Sequence, residues 1–329
     1  MVLRQRHTGC IELLRASSID SFGEYLNVNR LEKGEKETNV NAPNTKPVYE
    51  ITPGAGGLPR LELVAPDGAR AEVYLQGAHI VSWIPAGDQE RLFLSRASRF
   101  SPGAPIRGGV PVVFPQFGAS GPLPLHGLAR LMPWEFARAE TSGNCASAAF
   151  HLRETEESCR LWPHAFLTEL IVSVGGSQME FTLGVTNTGG ESFTFTASFH
   201  TYLRVSDSNT TCVKGLLGLR YLDAAAGGVE KHEESQQVEF TDEVNRIYFD
   251  APAETRLVEP GRTTLVRKSG FSDTVVWNPA AAKCATMPDL EPEDYRRFVC
   301  IEAATVGVPV LLAPGGRWEG KQALEIRKS

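Results

Sequence analysis

FTFTASFHTYLRV, residues Phe193–Val205, alternates apolar residues with polar or half-polar ones along its length. A period of two sends successive side chains to opposite faces of a strand. Phe193, Phe195, Ala197, Phe199 and Leu203 share one face, with Thr201 as a polar exception. Thr194, Thr196, Ser198, His200, Tyr202 and Arg204 share the other. The first face belongs against a core, and the second against water or a cleft. That pattern is typical of antiparallel sheets, which are often buried on one side only.

The same texture recurs from Val48 onward. LELVAP, AEVYLQ, HIVSWIP, FLTELIVSV, MEFTLGVTN, QQVEFT, TTLVRKS and TVVWNP are short runs rich in Val, Thr, Phe and Leu. Gly, Pro, Asn, Asp and Ser clusters such as APDGA, NTGGES, EPGR and APGG bound them, as turns do. Helical periodicity is nearly absent, so strands follow strands without crossover helices. The expected fold is all-β, an antiparallel sandwich rather than βαβ units. No fixed-period repeat, P-loop or dinucleotide fingerprint is present.

Residues 1–47 read differently. KGEKETNVNAPNTKP is polar and breaker-rich, like a linker. We expect a poorly ordered appendage there, and the β domain over residues 48–329. The basic N-terminus lacks an apolar run long enough for a secretory signal.

The chain has 329 residues, 42% of them hydrophobic, and a net charge of -6. That balance argues against nucleic-acid partners and anionic membrane surfaces. The six cysteines lie far apart without a C-x-x-C pair, so a zinc site is not expected, and scattered thiols read as reduced. A cytoplasmic monomer is the expectation.

Four features carry candidate chemistry. APIRGGVPVVFPQFGASGPLPLHGLAR, Ala104–Arg130, sets Arg107, Gln116, His126 and Arg130 around a glycine-rich apolar run. A guanidinium's planar fork suits phosphate or carboxylate, so an anion is expected here. The bland alternative is a surface salt bridge for each arginine, and loop-backbone hydrogen bonds for Gln116 and His126. His200 points away from the phenylalanine face, either as an acid/base or as a histidine bonded to a neighbouring hydroxyl or carbonyl. Glu302 is the single carboxylate in the apolar run FVCIEAATV. It must pair with a cation or face a cleft with a raised pKa. Trp277, at the end of DTVVWNP, can stack on a sugar ring or fill the core.

Together, GAHIVSW (Gly77–Trp83), IRGGVPVVFPQFG (Ile106–Gly118), HGLAR (His126–Arg130), SFHTYLRVSD (Ser198–Asp207), DTVVWNP (Asp273–Pro279) and CIEAA (Cys300–Ala304) occur in an order that resembles the glucose-6-phosphate 1-epimerase family. These are hexose-6-phosphate mutarotases related to aldose 1-epimerase. The resemblance covers roughly residues 61–324. It implies a large β-sandwich of the galactose mutarotase type with a cleft on a concave sheet face. It also implies that His200 and Glu302 form the acid/base pair, that Arg107 and Arg130 lie at the substrate phosphate, and that His126 contacts the reacting end of the sugar. Leu125 stands where the family often has glutamine, and Asn245 where it often has aspartate.

The implied reaction opens the hemiacetal ring. Glu302 is expected to take the O1 proton and a protonated His200 to donate to the ring oxygen, with no cofactor or metal. Two other readings remain open: a mutarotase of unphosphorylated aldoses, and a non-catalytic carbohydrate-binding sandwich.

Overall fold

The computed structural model describes residues 48–328, so the 1–47 appendage lies outside the described residues. Among the described residues the chain forms three antiparallel sheets, of four, eight and nine strands. The all-β expectation holds. No helix among the described residues is long and apolar enough to cross a membrane. Cys159, Cys212, Cys284 and Cys300 are free thiols.

Alternation explains why the sheets pack. In the Phe166–Gly175 strand, Phe166, Thr168, Leu170, Val172 and Val174 are buried while their neighbours are half-exposed. The buried residues meet the phenylalanine face read from the sequence. Phe193, Phe195, Ala197 and Phe199 join Phe150, Leu170, Phe181, Leu183, Leu257 and Leu324 in one continuous core. Phe181 stands edge-on to Phe199, with ring centroids 4.7 Å apart. Burial of this apolar area is the main stabilising term of the sandwich. Thr201, the polar exception, is fully buried, and its hydroxyl lies 2.6 Å from Gln322 Oε1. The Gln322 amide in turn donates to the Ile301 carbonyl, so the core face leaves neither group stranded.

The single strand expected over 193–204 is two strands, Phe193–Phe199 and Tyr202–Arg204. The chain breaks between them because the His200 amide donates to Pro111 O and the Thr201 amide to Phe199 O. Both pieces pair with one long strand, Phe298–Leu312. Ser198 lies opposite Ala304, and Tyr202 lies opposite Cys300. The register is the same on both sides of the break, so His200 falls opposite Glu302. Beyond Glu302 the Asp273–Asn278 strand places Val275, and the Val244–Tyr248 strand sets Asn245 against Trp277. Cross-strand partners share a face. Ser198, His200, Tyr202, Glu302, Cys300, Trp277 and Asn245 therefore look away from the main core together.

Candidate active site

Glu302 sits mid-strand and is 1% exposed. Ser198 Oγ donates to its Oε2 at 2.9 Å, and His200 Nδ1 stands 3.3 Å from its Oε1. Around it lie the apolar side chains of Ile247, Val275 and Ala304 on the same sheet face. Burial pushes the Glu302 carboxyl up to about 8, although the Ser198 hydrogen bond opposes the shift. His200 moves the other way, well below the usual imidazole range. Burial is the main cause, and the neighbouring His126, Arg107 and Arg130 add to it. Burial thus disfavours the charged form of both groups.

Aromatic rings fix the imidazole. Tyr202 lies parallel to it at 4.8 Å, tilted by 11°, and Trp277 meets it edge-on at 5.6 Å. Trp277 is buried among Phe93, Tyr202, Cys284 and Phe298, so it packs as core while presenting its edge to the site. His126 completes the surround at 5.5 Å. Its φ of 64° places it in the left-handed region. The loop holds it by two bonds: its amide donates to Gly118 O, and its Nδ1 accepts from Gly118 N. Burial and the two arginines lower it to about 3, so this ring is neutral.

Local backbone chemistry delivers the arginines. Gly109 has a φ of 62°, and a Cβ there would come within 2.1 Å of Ile80 O. Only glycine lets the loop bearing Arg107 approach the strand so closely. The HGLAR turn closes on the Phe114 carbonyl, which accepts from Leu128 N and Ala129 N. Gly127 has a φ of 76°, and a Cβ there would meet that same carbonyl at 2.3 Å.

Arg107 is flanked on two sides. Its Nε donates to Asp289 Oδ2 at 3.0 Å, and its Nη1 donates to the Tyr202 hydroxyl at 2.9 Å. Arg130 donates to Leu125 O at 2.6 Å, but its buried Nε has no hydrogen-bond partner among the described residues. Burial is the main cause lowering Arg130 to about 10, and the Arg107 charge contributes. Two guanidiniums are thus held in a low-dielectric recess, where an anion would relieve their repulsion.

Of the eight residues singled out in the sequence, His200, Glu302, Trp277 and His126 form one contact set, with Arg107 joined to it through Tyr202 and Arg130 through its charge. Asn245 is half-buried on the same sheet face, opposite Trp277. Gln116 differs. Its Nε2 donates to Gly118 O and Leu123 O, and its Oε1 accepts from Leu123 N, so its amide is committed to the loop. Leu125 is 55% exposed and meets Arg130 through its carbonyl, for which side-chain identity is immaterial. Asp289 was not anticipated. It lies in MPDLEPEDY, a breaker-rich stretch with several acids, and nothing local distinguishes it. Among the described residues no group of three or more His, Cys, Asp or Glu converges to hold a metal ion.

A sequence profile for aldose 1-epimerase matches residues 59–325. The chain belongs to the aldose 1-epimerase family. It is therefore an isomerase acting on hexose anomers. A Cenchrus ciliaris protein provisionally named glucose-6-phosphate 1-epimerase is 36% identical over 288 residues, covering 84% of this chain and 88% of that one. An Escherichia coli protein with the same provisional name is 35% identical over 254 residues, covering 75% and 84%. The crystal structure of a provisionally named mutarotase from Salmonella typhimurium superposes with a TM-score of 0.80 at 30% identity, covering 88% of this chain and 96% of that one. A galactose mutarotase-like protein from Clostridium acetobutylicum gives a TM-score of 0.67 at 14% identity, covering 85% and 98%; this likeness concerns the fold alone. The galactose mutarotase-type sandwich expected from the sequence is the fold observed.

Proposed function

We propose that this epimerase interconverts the α and β anomers of a hexose 6-phosphate, with glucose 6-phosphate as the preferred substrate. His200 and Glu302 open the ring, and Arg107 and Arg130 receive the phosphate. One observation carries the reading: His200 Nδ1 stands 3.3 Å from Glu302 Oε1 on a face flanked by two guanidiniums. The provisional names of the Cenchrus ciliaris and Escherichia coli relatives support the phosphorylated substrate.

Ring opening moves two protons at neighbouring oxygens, because O1 and O5 share C1. One group takes the O1 proton while another protonates O5. The C1–C2 bond turns, and closure reverses both transfers. A pair sharing one proton supplies an acid and a base at once. Before substrate binds, that proton starts on Glu302, whose carboxyl burial raises to about 8. A phosphate dianion at the arginines offsets positive charge that depresses His200, so substrate draws the proton toward the imidazole. Glu302 then acts as base at O1 and His200 as acid at O5. Phosphate binding, remote from C1, orients the ring against the pair. His126 and Asn245 reach the sugar from either side of the pair, and Trp277 closes the wall behind His200. Gln116 shapes the loop that carries His126.

A free aldose is the second reading. It draws on Asp289, which already neutralises Arg107. Arg130 weighs against it, since its buried Nε is unpartnered and it makes no ion pair among the described residues.

Exchange NMR on glucose, mannose and galactose 6-phosphates tests the proposal. Catalysed α/β exchange is expected, fastest with glucose 6-phosphate. Binding without faster exchange would contradict it and favour a carbohydrate-binding module. The pH profile gives a separate check. The single shared proton leaves as pH rises through about 8, the value to which burial raises Glu302. kcat/KM should therefore be lost progressively above about pH 8. A profile still rising at pH 9 would contradict the assignment.

A further inference from the structure

We infer that Tyr202 is a positioning residue that couples the two ends of the site: its hydroxyl holds Arg107 and its ring holds the His200 imidazole, so an oxyanion gripped by Arg107 activates the acid/base pair even when not joined to the sugar. The inference rests on Arg107 being a phosphate contact, as proposed above.

Tyr202 is 1% exposed, so its ring has little freedom to move independently of its neighbours. Its hydroxyl accepts from Arg107 Nη1 at 2.9 Å, and its ring lies 4.8 Å from the imidazole. Trp277 stands edge-on to both rings, at 5.6 Å from His200 and 5.9 Å from Tyr202. His200 Nδ1 has no hydrogen-bond partner among the described residues. Ring packing rather than a hydrogen bond therefore sets the angle at which it faces Glu302. Fixing Tyr202 therefore fixes the stacked wall of that packing.

Arg107 can bind an anion without releasing Tyr202. A guanidinium has five N–H donors. Asp289 lies 3.0 Å from both Nε and Nη2, and Tyr202 takes one donor of Nη1. One donor remains on each terminal nitrogen, enough for a bidentate oxyanion. Asp289 and Tyr202 thus hold the guanidinium and leave two N–H donors uncommitted. An anion there stiffens the path from Arg107 through Tyr202 to His200. It also offsets the guanidinium charges acting on the imidazole.

The test adds phosphite dianion to the anomerisation of free glucose. In the wild type, phosphite should raise kcat/KM for free glucose saturably, by about tenfold or more, as expected when a charged hydrogen bond is made in the productive state. It should also shift the His200 ring resonances in NMR spectra. Tyr202→Phe keeps the ring and removes the hydroxyl. In that variant activation should fall below about twofold, and kcat/KM for glucose 6-phosphate should drop about tenfold, mainly in kcat. Equal losses on free and phosphorylated sugar, with phosphite activation retained, would overturn the inference. So would a wild type whose turnover and His200 resonances ignore phosphite, a readout that needs no variant. Arg107→Ala separates the two failures. If it harms both sugars equally, the phosphate reading fails and this inference fails with it. If it is selective for the phosphorylated sugar while phosphite has no effect, the coupling alone fails.

Discussion

Replacing His200 with alanine should lower catalysed anomerisation of glucose 6-phosphate by about 10²- to 10⁴-fold, and Glu302→Gln should do the same. Each change removes one of the two groups that move protons at O1 and O5. The remaining group then lacks the acid/base partner that stands 3.3 Å away in the wild type. The fold should survive both changes. Glu302 has a folded pKa raised to about 8 by burial. A raised pKa favours the protonated folded state, so its stabilising effect is present at low pH and is lost as pH rises toward 8. Glutamine cannot ionise, so Glu302→Gln should melt at or above the wild-type temperature at pH 8 while being nearly inactive. Exchange NMR and thermal melts measure both. Full activity in either variant would remove that residue from the mechanism.

Arg107→Ala should raise KM for glucose 6-phosphate by about tenfold to a hundredfold and leave free glucose much less affected. Charge-assisted hydrogen bonds are worth about 1.5–3 kcal/mol each, which sets that range. Arg130→Ala should act in the same direction. Its larger share should appear in KM, because its proposed contact is with the remote phosphate. Parallel initial-rate measurements on the two sugars check this. Equal effects on both would place the arginines in a structural role.

Much of the site was legible in the sequence. The alternation of residues 193–204 separated the phenylalanine face from the face bearing Ser198, His200 and Tyr202, and both faces hold. The apolar setting of Glu302 implied a raised pKa or an ion pair, and it has the raised pKa. The glycines beside Arg107 and within HGLAR marked turns that only glycine makes. Register was not legible. His200 and Glu302 lie about a hundred positions apart, and nothing local says that their strands pair with these two residues opposite. Asp289 was hidden for the same reason, since its partner Arg107 comes from a distant loop. Residue type alone also does not show how far burial on one apolar face disfavours the charged form of both groups. Gln116 shows the reverse limit: an amide that could bind a hydroxyl instead satisfies the turn around Leu123.

On the proposed mechanism, two side chains from remote stretches of chain meet at the hemiacetal of a sugar held by its phosphate. The ratio of kcat/KM for glucose 6-phosphate to that for unmodified glucose, taken on the same preparation, probes this most directly. We predict a ratio of about 10² or more, given two charge-assisted phosphate contacts. A ratio near one, or in favour of the free sugar, would contradict it.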